Sequence, residues 1–182
     1  MIGRGSTQAP SETRPLSSLA GVYREDGIMI IGLGIADALA VMAAIHPGPY
    51  YWEGVIFAVV LFTVGYVALV DRKEKWLTRA IEGALAIPEN AARRHHQGLA
   101  QRAFLIVAAY GAANAFWALL WLVWGSGSPS MGLLPGMMMA QGVTFLVRAE
   151  RVRSWERDAN SELLVSFRWR RRHNGGYFVR SD

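Results

Sequence analysis

Long runs of apolar residues that are almost free of charge limit what this chain can fold into. There are four such blocks, at residues 27–45, 52–70, 103–124 and about 129–147. Each is close to the roughly 20 residues that a helix needs to cross the ~30 Å hydrocarbon layer of a bilayer. A helix at the surface of a soluble core carries a polar stripe at helical spacing, which these blocks lack. The sequence therefore predicts an all-α integral membrane protein with four transmembrane helices.

The basic residues predict the orientation of these helices. All 19 Lys and Arg residues lie before the first block, between the second and third, or after the fourth. The linkers at 46–53 and 125–131 contain none. By the positive-inside rule, we expect a multi-pass protein of a prokaryotic plasma membrane with both termini and the central loop in the cytoplasm. Residues 1–26 lack a signal-peptide pattern, so the first helix is expected to stay as an anchor.

The chain also looks internally duplicated. The string GIADALA, which contains Asp37, matches GAANAFW, which contains Asn114, at an offset of 77 residues. The same offset pairs Gly65 with Gly142. No single match is specific, but the spacing stays almost constant through helices, linkers and tails. We therefore predict two tandem repeats.

The predicted organisation follows from this duplication: a cytoplasmic segment 1–26, a first repeat 27–100 and a second repeat 101–182. Each repeat is a helical hairpin followed by a basic cytoplasmic segment, which is the loop 71–100 or the tail 148–182. Both hairpins start on the same side of the membrane. They should therefore be parallel repeats, related by an axis along the membrane normal.

Small residues recur at every fourth position on two helix faces. One column is Gly32, Ala36, Ala40 and Ala44, and another is Gly132, Gly136 and Ala140. Such columns let helix backbones approach closely in lipid. They either pack the four helices of one chain together or form a homo-oligomer interface, and we favour the first interpretation.

Asp37 is the most unusual residue of the predicted membrane segments. An ionised carboxylate near the bilayer centre costs roughly 2.5–3.5 kcal/mol on insertion scales. In one interpretation Asp37 bonds Asn114 across the repeat axis and links the two helices. In the other it is a proton or cation site, with Asn114 and Gln141 as the remaining polar groups. Three polar residues are few for a conduction path, which favours the first interpretation.

Two cytoplasmic segments have clear patterns. Residues 73–88 show apolar residues at helical spacing opposite charged ones, which predicts an amphipathic helix at the membrane surface. In the tail, Leu163, Val165, Phe167 and Trp169 alternate with positions that include the polar residues Ser166, Arg168 and Arg170. The string HNGG follows, and alternation around an Asn-Gly turn predicts a C-terminal β-hairpin.

A basic patch is predicted from arginines of the loop and tail: Arg93, Arg94, Arg168, Arg170, Arg171 and Arg172. Each basic group near an anionic membrane surface contributes about 1 kcal/mol of binding energy. Nucleic acid phosphates would attract the same groups. The tail lies next to the membrane, so we favour anionic lipid over nucleic acid.

The sequence shows no pattern for an enzyme, a cofactor or a metal site. It contains no cysteine, no nucleotide-binding glycine loop and no zinc motif. We therefore expect a non-enzymatic structural or accessory subunit of a membrane assembly, bound to other membrane subunits or to itself. The alternative is a small oligomeric channel or transporter for protons, cations or a small solute that uses Asp37.

Overall fold

Four long helices and a small sheet make up the computed structural model of this chain. It describes residues 16–45, 48, 50–71, 76–82, 84–86, 99–124, 132–166 and 177–181. The helices are α1 (Leu19–Ile45), α2 (Tyr51–Gly65, continued by a π-helical segment Tyr66–Asp71), α3 (Trp76–Glu82), α4 (Leu99–Trp124) and α5 (Leu133–Ala159). The strands are β1 (Leu16–Ser18), β2 (Leu85–Ala86), β3 (Ser161–Ser166) and β4 (Tyr177–Ser181).

Two of these helices are long and apolar enough to cross a membrane. They are α1, over Leu19–Ala43, and α2 with its π-helical continuation, over Tyr51–Ala68. Only 22% of the most apolar window of each is buried within the chain. A core helix of a soluble protein satisfies the same criteria of length and composition, but it is mostly buried.

Helix α1 begins earlier than its apolar block predicts. Ser18 precedes the helix, and its hydroxyl oxygen accepts a hydrogen bond from the Gly21 N–H at 3.3 Å, as an N-cap residue does. The residues that this adds to the helix include Leu19 and Val22, which are buried. The predicted polar segment 1–26 therefore contains the first helical turns, whose apolar side chains belong to a core.

Helix α5 lies against both α1 and α2, and glycines allow the close approach. A Cβ built on Gly142 would lie 2.5 Å from Ile31 Cγ1 and 2.7 Å from the carbonyl oxygen of Gly27. A Cβ on Gly136 would lie 2.6 Å from Ala58 Cβ. No side chain fits at those distances. The three helices therefore pack backbone to backbone, as small residues allow in membranes.

The two predicted columns of small residues behave differently. The column on α5, which starts at Gly132 and Gly136, is buried, and both glycines face α2. The column on α1 is exposed at Gly32, Ala36 and Ala40. A Cβ on Gly32 would meet nothing within 4 Å. Only the α5 column packs helices of this chain together.

The strands form one four-stranded sheet in the order β1-β3-β4-β2. Strands β3 and β4 pair antiparallel, which confirms the C-terminal hairpin, although its HNGG turn lies outside the described residues. Strand β1 pairs antiparallel with β3, and β2 pairs parallel with β4. The predicted all-α fold with a possible hairpin therefore missed strands β1 and β2. These strands have three and two residues, which are too few to show alternation in the sequence.

A single residue joins α5 to β3. Helix α5 runs past its apolar block, which ends at about residue 147, to Ala159. Asn160 then adopts a left-handed conformation with φ of 46°, which asparagine tolerates at helix ends. The Glu156 carboxylate of the last turn accepts a hydrogen bond from the Leu163 N–H at 3.0 Å. The helix end thereby positions the first sheet residues.

The sheet buries residues on both faces. Leu163 and Val165 pack on one face with the start of α1 and with Val152 of α5. Leu164 is buried beside Phe178 in a separate cluster, although the alternation predicted it to face the polar side. Strand β3 is therefore a central strand that is buried on both sides.

Helix α3 is shorter than the predicted amphipathic helix, and it lies against the sheet core. It covers seven residues, and Ala80 on its apolar side is buried. Leu77 and the nearby Ala84 pack against the core cluster that contains Leu163 and Val152. The amphipathic pattern was correct, and the apolar side of the helix packs against the sheet core.

Gly142→Ala tests the close packing of α5 on α1, with Gly65→Ala as a matched control. The new Cβ at 142 would meet the Gly27 backbone, which no side-chain rotation can relieve, so we expect a loss of about 1–3 kcal/mol in the free energy of unfolding. A Cβ on Gly65 would meet nothing within 4 Å. Thermal unfolding in one detergent measures both variants. Equal midpoints for the two would contradict the packing described here.

Candidate functional site

An ion-pair cluster joins α4 to α1 at the ends of the helices nearest the sheet. Arg102 Nη2 lies 2.9 Å from Glu25 Oε2, and its Nε lies 3.8 Å from Asp26 Oδ1. The Arg102 and Asp26 side chains are only 17% and 16% exposed. Because water screens this cluster only in part, breaking it costs more than breaking an exposed ion pair.

The two residues of the shorter pair stand at equivalent positions of the predicted repeats. Glu25 and Arg102 are 77 residues apart, which is the offset that relates Asp37 to Asn114. Asp37 lies 12 residues after Glu25, and Asn114 lies 12 residues after Arg102. Twelve helical residues span about 18 Å. Asp37 and Asn114 therefore lie equally far along their helices from the same ion pair.

Asp37 itself is half-buried on α1, eight residues before the helix ends at Ile45. The buried Tyr51 at the start of α2 is within electrostatic range of its carboxylate. The Tyr51 hydroxyl donates a hydrogen bond to the carbonyl oxygen of Ala38 at 3.2 Å. Asp37 and Asn114 both belong to the described residues, and no hydrogen bond joins them. We expected α1 to face α4, but α1 packs chiefly on α5.

Gln141 lies at a different depth from Asp37. Gly142, the next residue on α5, contacts Ile31 of α1. Ile31 precedes Asp37 by six residues, or about 9 Å along a helix. The three candidate polar residues of the membrane segments therefore do not form one cluster.

Gln141 belongs instead to the wall of a cavity between α2, α4 and α5. The Tyr110 hydroxyl of α4 donates a hydrogen bond to Gln141 Oε1 at 2.6 Å. The cavity has a volume of about 620 Å³ and is partly open to the surroundings. Its lining includes Phe62, Gly65, Tyr66, Tyr110, Ala113 and Gln141. This volume and this mostly apolar wall are typical of sites for small apolar ligands.

Arg148 of α5 marks the end of this cavity nearest the sheet. Its Cζ lies 5.1 Å from the centroid of the Tyr66 ring, a cation–π distance. Its Nη2 donates a hydrogen bond to the Tyr66 hydroxyl, and Tyr23 of α1 is a second hydrogen-bonding neighbour. The phenol side chains of Tyr66 and Tyr23 therefore help to position the guanidinium.

A second, smaller cavity lies between α1, α2 and α5 on the side of Ala38. Its volume is about 330 Å³, and apolar side chains such as Ile35, Trp52 and Val55 line it. Asp37 is not among the lining residues. This cavity therefore offers no polar route to the carboxylate.

The predicted basic patch falls on residues that the structure does not describe. Arg93, Arg94, Arg168, Arg170, Arg171 and Arg172 all lie outside the described residues. Among the residues that the structure describes, no three His, Cys, Asp or Glu side chains gather as metal ligands.

Sequence reasoning did not single out Arg102, Arg148 or Tyr110. A signal was present for the two arginines, because each is the charged residue that borders an apolar block. Such boundary charges were used only for the orientation of the helices. Tyr110 gave no comparable signal, since aromatic residues are common in apolar helices.

Comparison with known proteins adds no family to this description. No protein-family model matches the chain, and no match was found among curated proteins or solved structures. The functional argument therefore depends on the geometry described above.

Reversing the Arg102–Glu25 charges tests the link between α1 and α4. Arg102→Glu alone places three acids together, so we expect the free energy of unfolding to fall by about 1–3 kcal/mol, between values for exposed and buried pairs. Glu25→Arg combined with Arg102→Glu should recover part of that loss. Denaturant titration of the purified variants measures both. A double variant as unstable as the single one would contradict the pairing.

Proposed function

We propose that this chain is a polytopic plasma-membrane protein whose four long helices cross the bilayer. The outward faces of these helices support the proposal. Exposed large hydrophobic residues are found on all four: Ile28, Ile35, Leu39, Trp52, Ile56, Phe57, Val60, Leu61, Phe62, Val64, Phe104, Val107, Phe116, Leu119 and Met137. Apolar surface of this extent is rare on a soluble monomer, and lipid would cover it.

The sheet supports the placement of both termini and the central loop on one side of the membrane, by an argument that is independent of charge counting. Strand β1 precedes α1, β2 lies between the two helix pairs, and the β3–β4 hairpin follows α5. One sheet can include all of them only if the chain returns to the same side after each pair of long helices. This is the arrangement that the positive-inside rule favours.

The ion pair between α1 and α4 supports the proposed duplication. Equivalent residues of two parallel repeats meet where the repeat axis passes between their helices. Glu25 and Arg102 are related by the repeat offset and touch. The π-helical segment after α2, which α5 lacks, is a departure from the symmetry.

Within the membrane, we assign this protein the role of a structural or accessory subunit, with no catalytic step. The exposed surface of α4 carries this proposal. Gly111 and Ala115 are four residues apart on that surface, as are Ala108 and Ala112, and all four are exposed. Small residues at this spacing invite a second helix. Within the chain, α4 has only sparse packing, mainly against α1.

Co-purification of Gly111→Leu and Gly32→Leu variants tests the subunit role. A Cβ on either glycine would meet nothing within 4 Å, so both variants should fold. We expect a stoichiometric partner, either another membrane protein or a second copy, to co-purify in mild detergent with the unmodified chain and with Gly32→Leu. Gly111→Leu should lose it by about tenfold or more in affinity, because the leucine keeps the helices apart.

Two outcomes would contradict the subunit role. One is a chain that purifies as a monomer with no stoichiometric partner. The other is full retention of the partner by Gly111→Leu, which would remove α4 from the interface. Mass spectrometry of the purified complex and light scattering of the protein in detergent distinguish these cases.

A second candidate function is proton or cation transfer at Asp37, favoured by one observation: a half-buried carboxylate inside an apolar helix is costly and is functional by default. If Asp37 carries the ion, Asp37→Asn should abolish flux into liposomes, because an amide cannot ionise. Among the described residues, Asp37 forms no cluster with Asn114 or Gln141, so we expect no flux from the unmodified protein. If the unmodified protein shows flux and Asp37→Asn does not, proton or cation transfer becomes the favoured function.

A further inference from the structure

We propose that the cavity between α2, α4 and α5 binds one acyl chain of an anionic phospholipid, with the lipid phosphate beside Arg148. The inference rests on the membrane placement proposed above. It does not depend on the subunit role. The lipid would be a specific one from the cytoplasmic leaflet, held between helices of the chain.

The predicted repeat relates the close contact of α1 with α5 to a contact of α4 with α2, and the cavity occurs at the place of that second contact. Helices α1 and α5 meet at Gly34 and Gly142, where an added Cβ would lie 2.9 Å or less from the neighbouring helix. The repeat offset relates these glycines to Gly111 of α4 and Gly65 of α2. A Cβ on either of those would meet nothing within 4 Å. Helices α2 and α4 are therefore not in close contact at these glycines: Gly65 lines the cavity, and Gly111 lies on the exposed surface of α4.

The walls of the cavity suit a hydrocarbon chain. Apart from the Tyr110–Gln141 pair and Thr144, the described lining is apolar or aromatic. The Thr144 hydroxyl already donates to the Ala140 carbonyl at 2.9 Å. An apolar cavity in a protein does not attract water. In a bilayer, the most abundant apolar molecules beside it are lipid chains.

The rim of the cavity opens outward. Leu61, Phe62 and Met137 line the cavity and are 50%, 39% and 42% exposed. Under the proposed placement, these side chains face lipid. An acyl chain can therefore enter sideways from the bilayer without crossing a polar region.

Arg148 supplies the preference for an anionic head group. Its contacts with Tyr66 place it at the cavity end nearest the sheet, which the proposed topology puts at the cytoplasmic surface. Anionic lipids are concentrated in that leaflet, and a basic group near it attracts them. A guanidinium also matches phosphate oxygens by paired hydrogen bonds.

Native mass spectrometry of the full chain with added phosphatidylglycerol tests the site, and Gly65→Leu is the decisive variant. The leucine would enter the cavity, so we expect the affinity for one bound lipid to fall about tenfold. Gly32→Leu is the matched control, because it adds the same side chain to open space on α1 and should bind like the unmodified chain. Ala113→Leu, from the α4 wall, repeats the test if Gly65→Leu does not fold.

The head-group preference has a separate readout. With phosphatidylcholine in place of phosphatidylglycerol, the unmodified chain should bind about fivefold more weakly, and Arg148→Gln should remove this difference. Arg148 also bonds Tyr66, so its variant is judged by the ratio of the two affinities and not by yield.

Equal binding by Gly65→Leu and the unmodified chain would overturn the proposal, as would equal losses in Gly65→Leu and Gly32→Leu. An unchanged affinity ratio in Arg148→Gln would refute the placement of the phosphate. A chain that co-purifies with a partner but retains no lipid would refute this inference and leave the subunit role intact. Lipid binding by a chain that co-purifies with no partner would refute the subunit role and leave this inference intact.

Discussion

The close contact of α5 with α1 and α2 is the constraint on which the rest of the structure depends. Gly136 and Gly142 bring three backbones to distances that exclude any side chain. Apolar side chains gain little by leaving lipid for a protein interior, so helix association in a membrane depends on packing of this kind. Helix α5 also extends beyond the packed region, and its end directs the strands of the sheet.

Helix α4 is held in a different way, by a few polar contacts. Arg102 binds two acids of α1, and Tyr110 binds Gln141 of α5. Polar bonds fix the position of a helix at a few points, but they do not fill the space beside it. The cavity and the exposed small residues of α4 both follow from this, and both leave room for other molecules.

The long helices and the C-terminal hairpin could be predicted because each has a pattern several residues long. Strands β1 and β2 could not, since their two or three residues form a sheet only through partners distant in the sequence. Helix pairing was predicted from the polar residues Asp37 and Asn114. The actual contact of α1 with α5 depends on glycines, which are too common in apolar blocks to indicate a partner.

The strand order also implies a sequence of events during synthesis. Among the strands that the structure describes, β1 pairs only with β3, and β2 pairs only with β4. The first half of the chain therefore holds both edges of a sheet whose centre is translated last. A ribosome would release the final residues only after all four long helices had emerged. In the proposed topology, the sheet could be completed only after each pair of long helices had returned the chain to the same side of the membrane.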